Sequence, residues 1–77
     1  MTILDKIRQL SVLCVLIKTE RTGGLQELAK KLGMSKGSAY NYLQELKVMG
    51  AKIEYDRQKQ TYYFNNNFDF KFTILLK

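Results

Sequence analysis

The side chains that could make or break covalent bonds are few in this chain, and they do not converge. There is no histidine and a single cysteine, Cys14, which excludes zinc fingers, Ser-His-Asp triads, Cys-His nucleophiles and an intramolecular disulfide framework. No two carboxylates suggest a general acid and base, and Glu54 and Asp56 read as charge balance beside basic neighbours. Donors and cations are plentiful instead. Ser35, Lys36, Ser38, Asn41, Gln44 and Lys47 crowd into one stretch with Gly37 and Tyr40, and Arg57 and Lys59 make a second basic spot. Hydroxyls, amides and ammonium groups without a nucleophile suit the non-covalent binding of an anion.

The charge supports that chemistry. Thirteen Lys and Arg stand against seven Asp and Glu, a net +6 in 77 residues, which points to a polyanionic partner or simply to solubility. Residues 21–59 hold eight of the bases and four of the acids, so most of the excess lies where the donors lie.

The elements that must carry these residues follow from periodicity. Ile3, Ile7, Leu10, Cys14 and Ile17 recur at helical spacing, predicting a helix over residues 2–20 with Thr2 as its N-cap and Asp5 in its first turn. The stretch from Leu10 to Ile17 is apolar on more than one face. Burial under other elements accounts for that, and a homodimer contact through Leu13 and Leu16 is the alternative. Cys14 reads as a small buried hydrophobe. Gly23-Gly24 breaks the pattern, and Leu25, Leu28, Ala29 and Leu32 stripe a shorter helix that Gly33 can end in the left-handed conformation. Ser35 is placed to cap a third helix running to about Met49, with Ala39, Leu43 and Leu46 inward, Tyr42 beside them and Gly50 as its terminator.

Beyond Gly50 the period drops from 3.6 to 2. Residues 52–55 and 61–64 read as the strands of a hairpin with the polar tip 56–60, and Asn65, Asn66 and Asn67 as a turn. Phe68, Phe70, Phe72 and Ile74 alternate with polar residues, predicting an extra terminal strand over 68–74. The fold class expected is therefore α+β, a three-helix core with a C-terminal hairpin and an extra terminal strand. Residues 1–64 would form the domain and residues 65–77 a turn and strand paired with the hairpin or with a second protomer. A chain of this length makes one small domain. Its longest apolar run, Val12 to Ile17, is far short of the ~20 residues of a membrane span. A cytoplasmic protein with no membrane association is expected, with no cofactor, no metal and no evident small-molecule ligand.

Two short helices joined by a tight glycine turn, the second polar on its outer face, form a helix-turn-helix. Ala29 is small where the helices approach, Gly33 makes the turn and Ser35 caps the third helix. The segment "LQELAKKLGMSKGSAYNYLQELKVMGAKIEYDRQKQTYYF" resembles the winged helix-turn-helix domain of DeoR-type bacterial transcription regulators. It is similar too to the DNA-binding domain of WYL-type regulators. Glu27-Leu28-Ala29, Leu32-Gly33, Ser35, Leu43, Leu46 and Gly50 carry the resemblance, and Met34, Ser38 and Ala39 are conservative replacements. Gly24 departs from the usual capping Thr, predicting a second helix that starts less firmly. Asn41 stands where an Arg often grips a phosphate.

The resemblance implies a sequence-specific regulator whose helix 35–49 enters the major groove of double-stranded DNA while the wing 56–60 contacts flanking backbone or the minor groove. Helical geometry then turns Lys36, Gly37, Tyr40, Asn41, Gln44 and Lys47 outward. Ser35 and Ser38 lie at the helix start, where hydroxyls and N–H groups suit a phosphate. Asn41 and Gln44 are the candidates for base edges, since amides pair with adenine. Lys36 and Tyr40 suit the backbone, Gly37 either its close approach or no more than a tolerated small residue in the first turn, and Arg57 and Lys59 the wing contact. Lys30 and Lys31 could brush the backbone, with a solvated helix face the better reading for at least one of them, and Tyr62, Tyr63 and Phe64 fit sheet packing. One monomer offers a small interface, so a homodimer on paired half-sites is expected. The alternative is a protein-interaction adaptor, disfavoured because Tyr40 is the one apolar residue expected on the outer face.

Overall fold

Thr2 opens the chain's first helix with a reciprocal pair of hydrogen bonds: its hydroxyl accepts the Asp5 N–H at 3.2 Å, and the Asp5 carboxylate accepts the Thr2 N–H at 3.3 Å. The computed structural model describes residues 2–68. The elements run α1 (Ile3–Lys18), α2 (Leu25–Leu32), α3 (Lys36–Val48), β1 (Ile53–Asp56) and β2 (Thr61–Phe64). At α3 the Ser35 hydroxyl accepts the Ser38 N–H at 3.1 Å. Gly24 has no side chain to cap α2, yet its own N–H donates to Glu27 Oε1 at 3.0 Å. Half of the reciprocal pair therefore survives at the helix expected to start weakly.

All three helices end in one motif, in which two successive N–H groups turn back onto the last carbonyls. In α2, Gly33 N–H reaches Lys30 O and Met34 N–H reaches Ala29 O; in α3, Gly50 and Ala51 reach Lys47 and Leu46. Gly33 and Gly50 take φ of 68° and 112° there. In α1 the pair is Glu20 to Ile17 and Arg21 to Leu16, and the left-handed residue is Glu20, at φ 56°. The helix consequently stops at Lys18 rather than at residue 20.

The core joins Leu10, Leu13 and Ile17 of α1 to Leu28 and Leu32 of α2, Tyr42, Leu43 and Leu46 of α3, and Ala51 and Ile53 of the hairpin. Cys14, Ala29 and Ala39 are buried beside them. Two expectations for α1 need correction. Leu13 is fully buried and cannot serve a dimer contact, because α1 is covered by α2 on one side and β2 on the other. Ile3, expected on the core face, is 71% exposed, since it lies in the first turn beyond the layer that covers Leu10.

The strands pair antiparallel with Ile53 opposite Phe64 and Tyr55 opposite Tyr62. Asp56 closes β1, and its carboxylate accepts the N–H groups of Gln58 at 2.9 Å and Lys59 at 3.1 Å, shaping the turn into β2. Asn66 latches the hairpin base, accepting from Lys52 N–H at 3.3 Å and donating to Gly50 O at 3.0 Å. Three helices and a two-stranded antiparallel sheet make this an α+β winged helix-turn-helix. Phe68, half-buried and 5.4 Å from the Phe64 ring, is the last residue described, so the rest of the strand expected over 68–74 lies outside the described residues.

Candidate nucleic-acid interface

The outer face of α3 is set by what its inner face buries. With Ala39, Tyr42, Leu43 and Leu46 inward, the 3.6-residue period leaves Ser35, Lys36, Gly37, Ser38, Tyr40, Asn41 and Lys47 exposed and Gln44 half-buried. Ser35 does its work inside the chain, since its oxygen takes the Ser38 N–H and lies 3.1 Å from the Ser38 hydroxyl. At Gly37 a side-chain carbon would meet nothing nearer than Ser35 Oγ at 4.0 Å, so the surface there is open.

The wing stands beside this face. Tyr40, Leu43, Gln44 and Lys47 of α3 share a cleft of about 200 Å³ with Ile53, Glu54, Tyr55 and Tyr62 of the hairpin. Tyr55 is exposed and meets Tyr62 edge-on, with centroids 4.9 Å apart. Sequence reasoning misses Tyr55. The alternation in β1 carries the signal, because Ile53 is a core residue and Tyr55 must follow it onto the same face of the strand. Burial, and then the neighbouring Tyr55, push the Tyr62 hydroxyl's pKa up. Tyr62, Tyr63 and Phe64 are half-buried in the sheet, as packing residues are.

Arg57 and Lys59 sit exposed in the turn, and the structure engages Lys59. Its ammonium lies 3.2 Å from Glu20 Oε1. Glu54 is more than charge balance: it accepts from the Tyr63 hydroxyl at 3.3 Å and from Asn65 Nδ2 at 2.6 Å. That carboxylate, then burial, raises the Tyr63 pKa. Lys31 donates to the Arg21 carbonyl, which leaves Lys30 as the solvated member of that pair.

The outer face is less uniformly polar than expected. Val48 is 88% exposed and Met49 half-exposed at the end of α3. They line a mostly apolar cleft of about 310 Å³ with Leu10, Gln44 and the Lys6–Glu45 ion pair, which closes at 2.6 Å. Among the described residues no group of His, Cys, Asp and Glu could hold a metal ion, and no helix is long and apolar enough to cross a membrane.

Residues 7–51 match the IclR helix-turn-helix domain. The chain belongs to that family. The match runs from the first turns of α1 through α2 and α3 and stops at Ala51, before β1, so it rests on the helices and their turn and owes nothing to the wing. The IclR-type domain is a winged-helix DNA-binding domain, and this protein is accordingly a sequence-specific DNA-binding regulator of bacterial type. No curated protein and no solved structure matches the chain.

Proposed function

We propose that this IclR-type domain reads double-stranded DNA by placing α3 in the major groove while the wing meets the flanking backbone or minor groove. The observation that carries the reading is the shared cleft, in which Tyr40, Gln44 and Lys47 of α3 border Tyr55 of the hairpin, so that one DNA surface can touch both. Asn41 and Gln44 read base edges. The Ser38 hydroxyl and the N–H groups of Lys36 and Gly37, which have no carbonyl partner within the helix, meet phosphate with the side chains of Lys36, Tyr40 and Lys47. Gly37 admits the sugar-phosphate chain closely, and Arg57 and Lys59 neutralise it at the wing. The basic tip and tyrosine-rich return strand also favour the finer likeness to DeoR-type and WYL-type wings.

The protein works as a cytoplasmic homodimer on paired half-sites, without catalytic activity and without a small-molecule ligand. Leu4, Val12 and Val15 are exposed on one face of α1 and offer the apolar surface for pairing, in place of Leu13.

Fluorescence anisotropy tests the reading. The probe is duplex DNA from upstream of the protein's own gene beside a scrambled duplex of equal length, at about 50 and 200 mM salt. Tighter binding to the upstream duplex that persists at the higher salt supports it. Equal binding that collapses with salt means that net charge acts alone. Absence of binding to either turns attention to an adaptor role, for which exposed Val48 and Met49 would be the contact.

A further inference from the structure

Glu20 occupies a place where the other two helices use glycine. Its backbone is left-handed, at φ 56°, a conformation that a side-chain-bearing residue holds only at a conformational cost. In that position its carboxylate stands at the wing tip, 3.2 Å from the Lys59 ammonium. Both ends of the pair are firmly mounted. Lys59 N–H is held by Asp56 at 3.1 Å. Two residues beyond Glu20, the connection between α1 and α2 is bonded to β2: Thr22 N–H donates to Thr61 Oγ1 at 3.2 Å, and Tyr62 N–H donates to Thr22 Oγ1 at 2.8 Å. The segment carrying Glu20 therefore travels with the wing rather than past it.

The ammonium is the movable part. A lysine head on a flexible four-carbon stem can leave one oxygen anion for another while its backbone stays still. The side chains of Lys59 and Glu20 are 65% and 42% exposed, so an arriving phosphate has access to the pair.

We propose that Glu20 restrains DNA binding as an internal competitor for Lys59: its carboxylate holds the Lys59 ammonium in the unbound protein, and a DNA phosphate takes that ammonium over on binding. The proposal rests on the reading of Lys59 as a backbone contact. The exchange of one anion for another damps what Lys59 contributes to affinity, by the worth of an exposed ion pair.

The test is a double-mutant cycle on the full chain with Glu20→Gln, Lys59→Met and the double variant. It reads anisotropy of one fixed fluorescein-labelled duplex at about 150 mM salt, where charges beyond ~8 Å are largely screened, and repeats the readings across a salt series. Glu20→Gln should tighten binding about two- to fivefold when Lys59 is present and leave it unchanged in the Lys59→Met background. Thermal melting confirms that each variant is folded. An equal gain in both backgrounds overturns the proposal in favour of simple charge repulsion, and no gain in either overturns it outright. If Lys59→Met alone leaves affinity and salt slope unchanged, the reading of Lys59 as a backbone contact falls and takes the proposal with it. If Lys59→Met weakens binding and reduces the slope by about 0.9 while Glu20→Gln remains uncoupled, the wing reading stands and the role of Glu20 alone is lost.

Discussion

Thr22 and Thr61, 39 residues apart in the chain, bury their hydroxyls against each other at 3.0 Å. Both residues are buried, and each oxygen also accepts a backbone N–H from across the contact, Tyr62 to Thr22 and Thr22 to Thr61. Thr22 Oγ1 further lies 2.8 Å from Gly23 O and Thr61 Oγ1 3.0 Å from Tyr62 O, so every polar atom of the node has a partner. This node fixes the wing to the connection between α1 and α2 and so sets where the wing stands relative to α3.

Thr22→Val keeps the branched shape but leaves the half-buried Tyr62 N–H without an acceptor. A loss of about 1–3 kcal/mol is expected, read from the midpoint of urea denaturation. Thr61→Val should behave alike through the Thr22 N–H. The double variant should lose less than the two losses added, because the hydroxyls share partners. Additive losses would mean that the two threonines act separately.

Glu20→Gly replaces a left-handed side-chain residue with the type that Gly33 and Gly50 provide at the other helix ends. Stability should rise by about 0.5–1 kcal/mol. Gly33→Ala should do the reverse by a similar amount. Paired thermal melts of the two variants check the sign.

Asn41→Ala and Gln44→Ala should each weaken binding to the specific duplex by about 1–3 kcal/mol while barely changing affinity for the scrambled one. Lys47→Ala should weaken both duplexes alike and lower the salt slope by about 0.9. Parallel anisotropy titrations separate the two patterns; a uniform loss for Asn41 and Gln44 would remove them from base readout.

Gly37→Ala adds a methyl group into open space, 4.0 Å from Ser35 Oγ. Helix propensity should raise stability by about 0.5–1 kcal/mol, yet DNA affinity should fall because the methyl stands where the sugar-phosphate chain approaches. A variant both more stable and undiminished in binding would show that Gly37 is a tolerated small residue and nothing more.

Alkaline pH should destabilise the fold. The hydrogen bond to Glu45, then its charge, raises the Lys6 pKa, so the Lys6 contribution is full below the unfolded lysine value and is lost as pH climbs through the folded one. Tyr63 has the same sign, because Glu54 disfavours the phenolate in the fold. Stability should therefore decline above about pH 10. Lys6→Met should flatten part of that decline, as followed by denaturation at stepped pH.

Much of the architecture is legible in the sequence because its signals are local. Thr2, Ser35, Gly33 and Gly50 mark helix ends through bonds made within a few residues, and the change of period after Gly50 marks the hairpin. The outward face of α3 comes from the same periodicity, which is why Lys36, Tyr40, Asn41 and Lys47 can be placed from residue spacing alone. The end of α1 is not legible. Glu20 is not a residue type that announces a left-handed turn, and the Gly23-Gly24 pair draws attention to the wrong side of it.

The burial of Leu13 and exposure of Val12 and Val15 depended on which sides of a helix apolar on more than one face the neighbouring elements covered. So did the place of Tyr55 beside α3 and the partnership of Lys59 with Glu20. The sequence by itself determined the three helices, the hairpin and the outer face of α3, since caps, turns and periodicity act over a few residues. Only the tertiary structure decided how the wing is anchored, through Thr22 and Thr61, because a buried hydroxyl is defined by a partner that arrives from a distant part of the chain and leaves no mark on the residues around it.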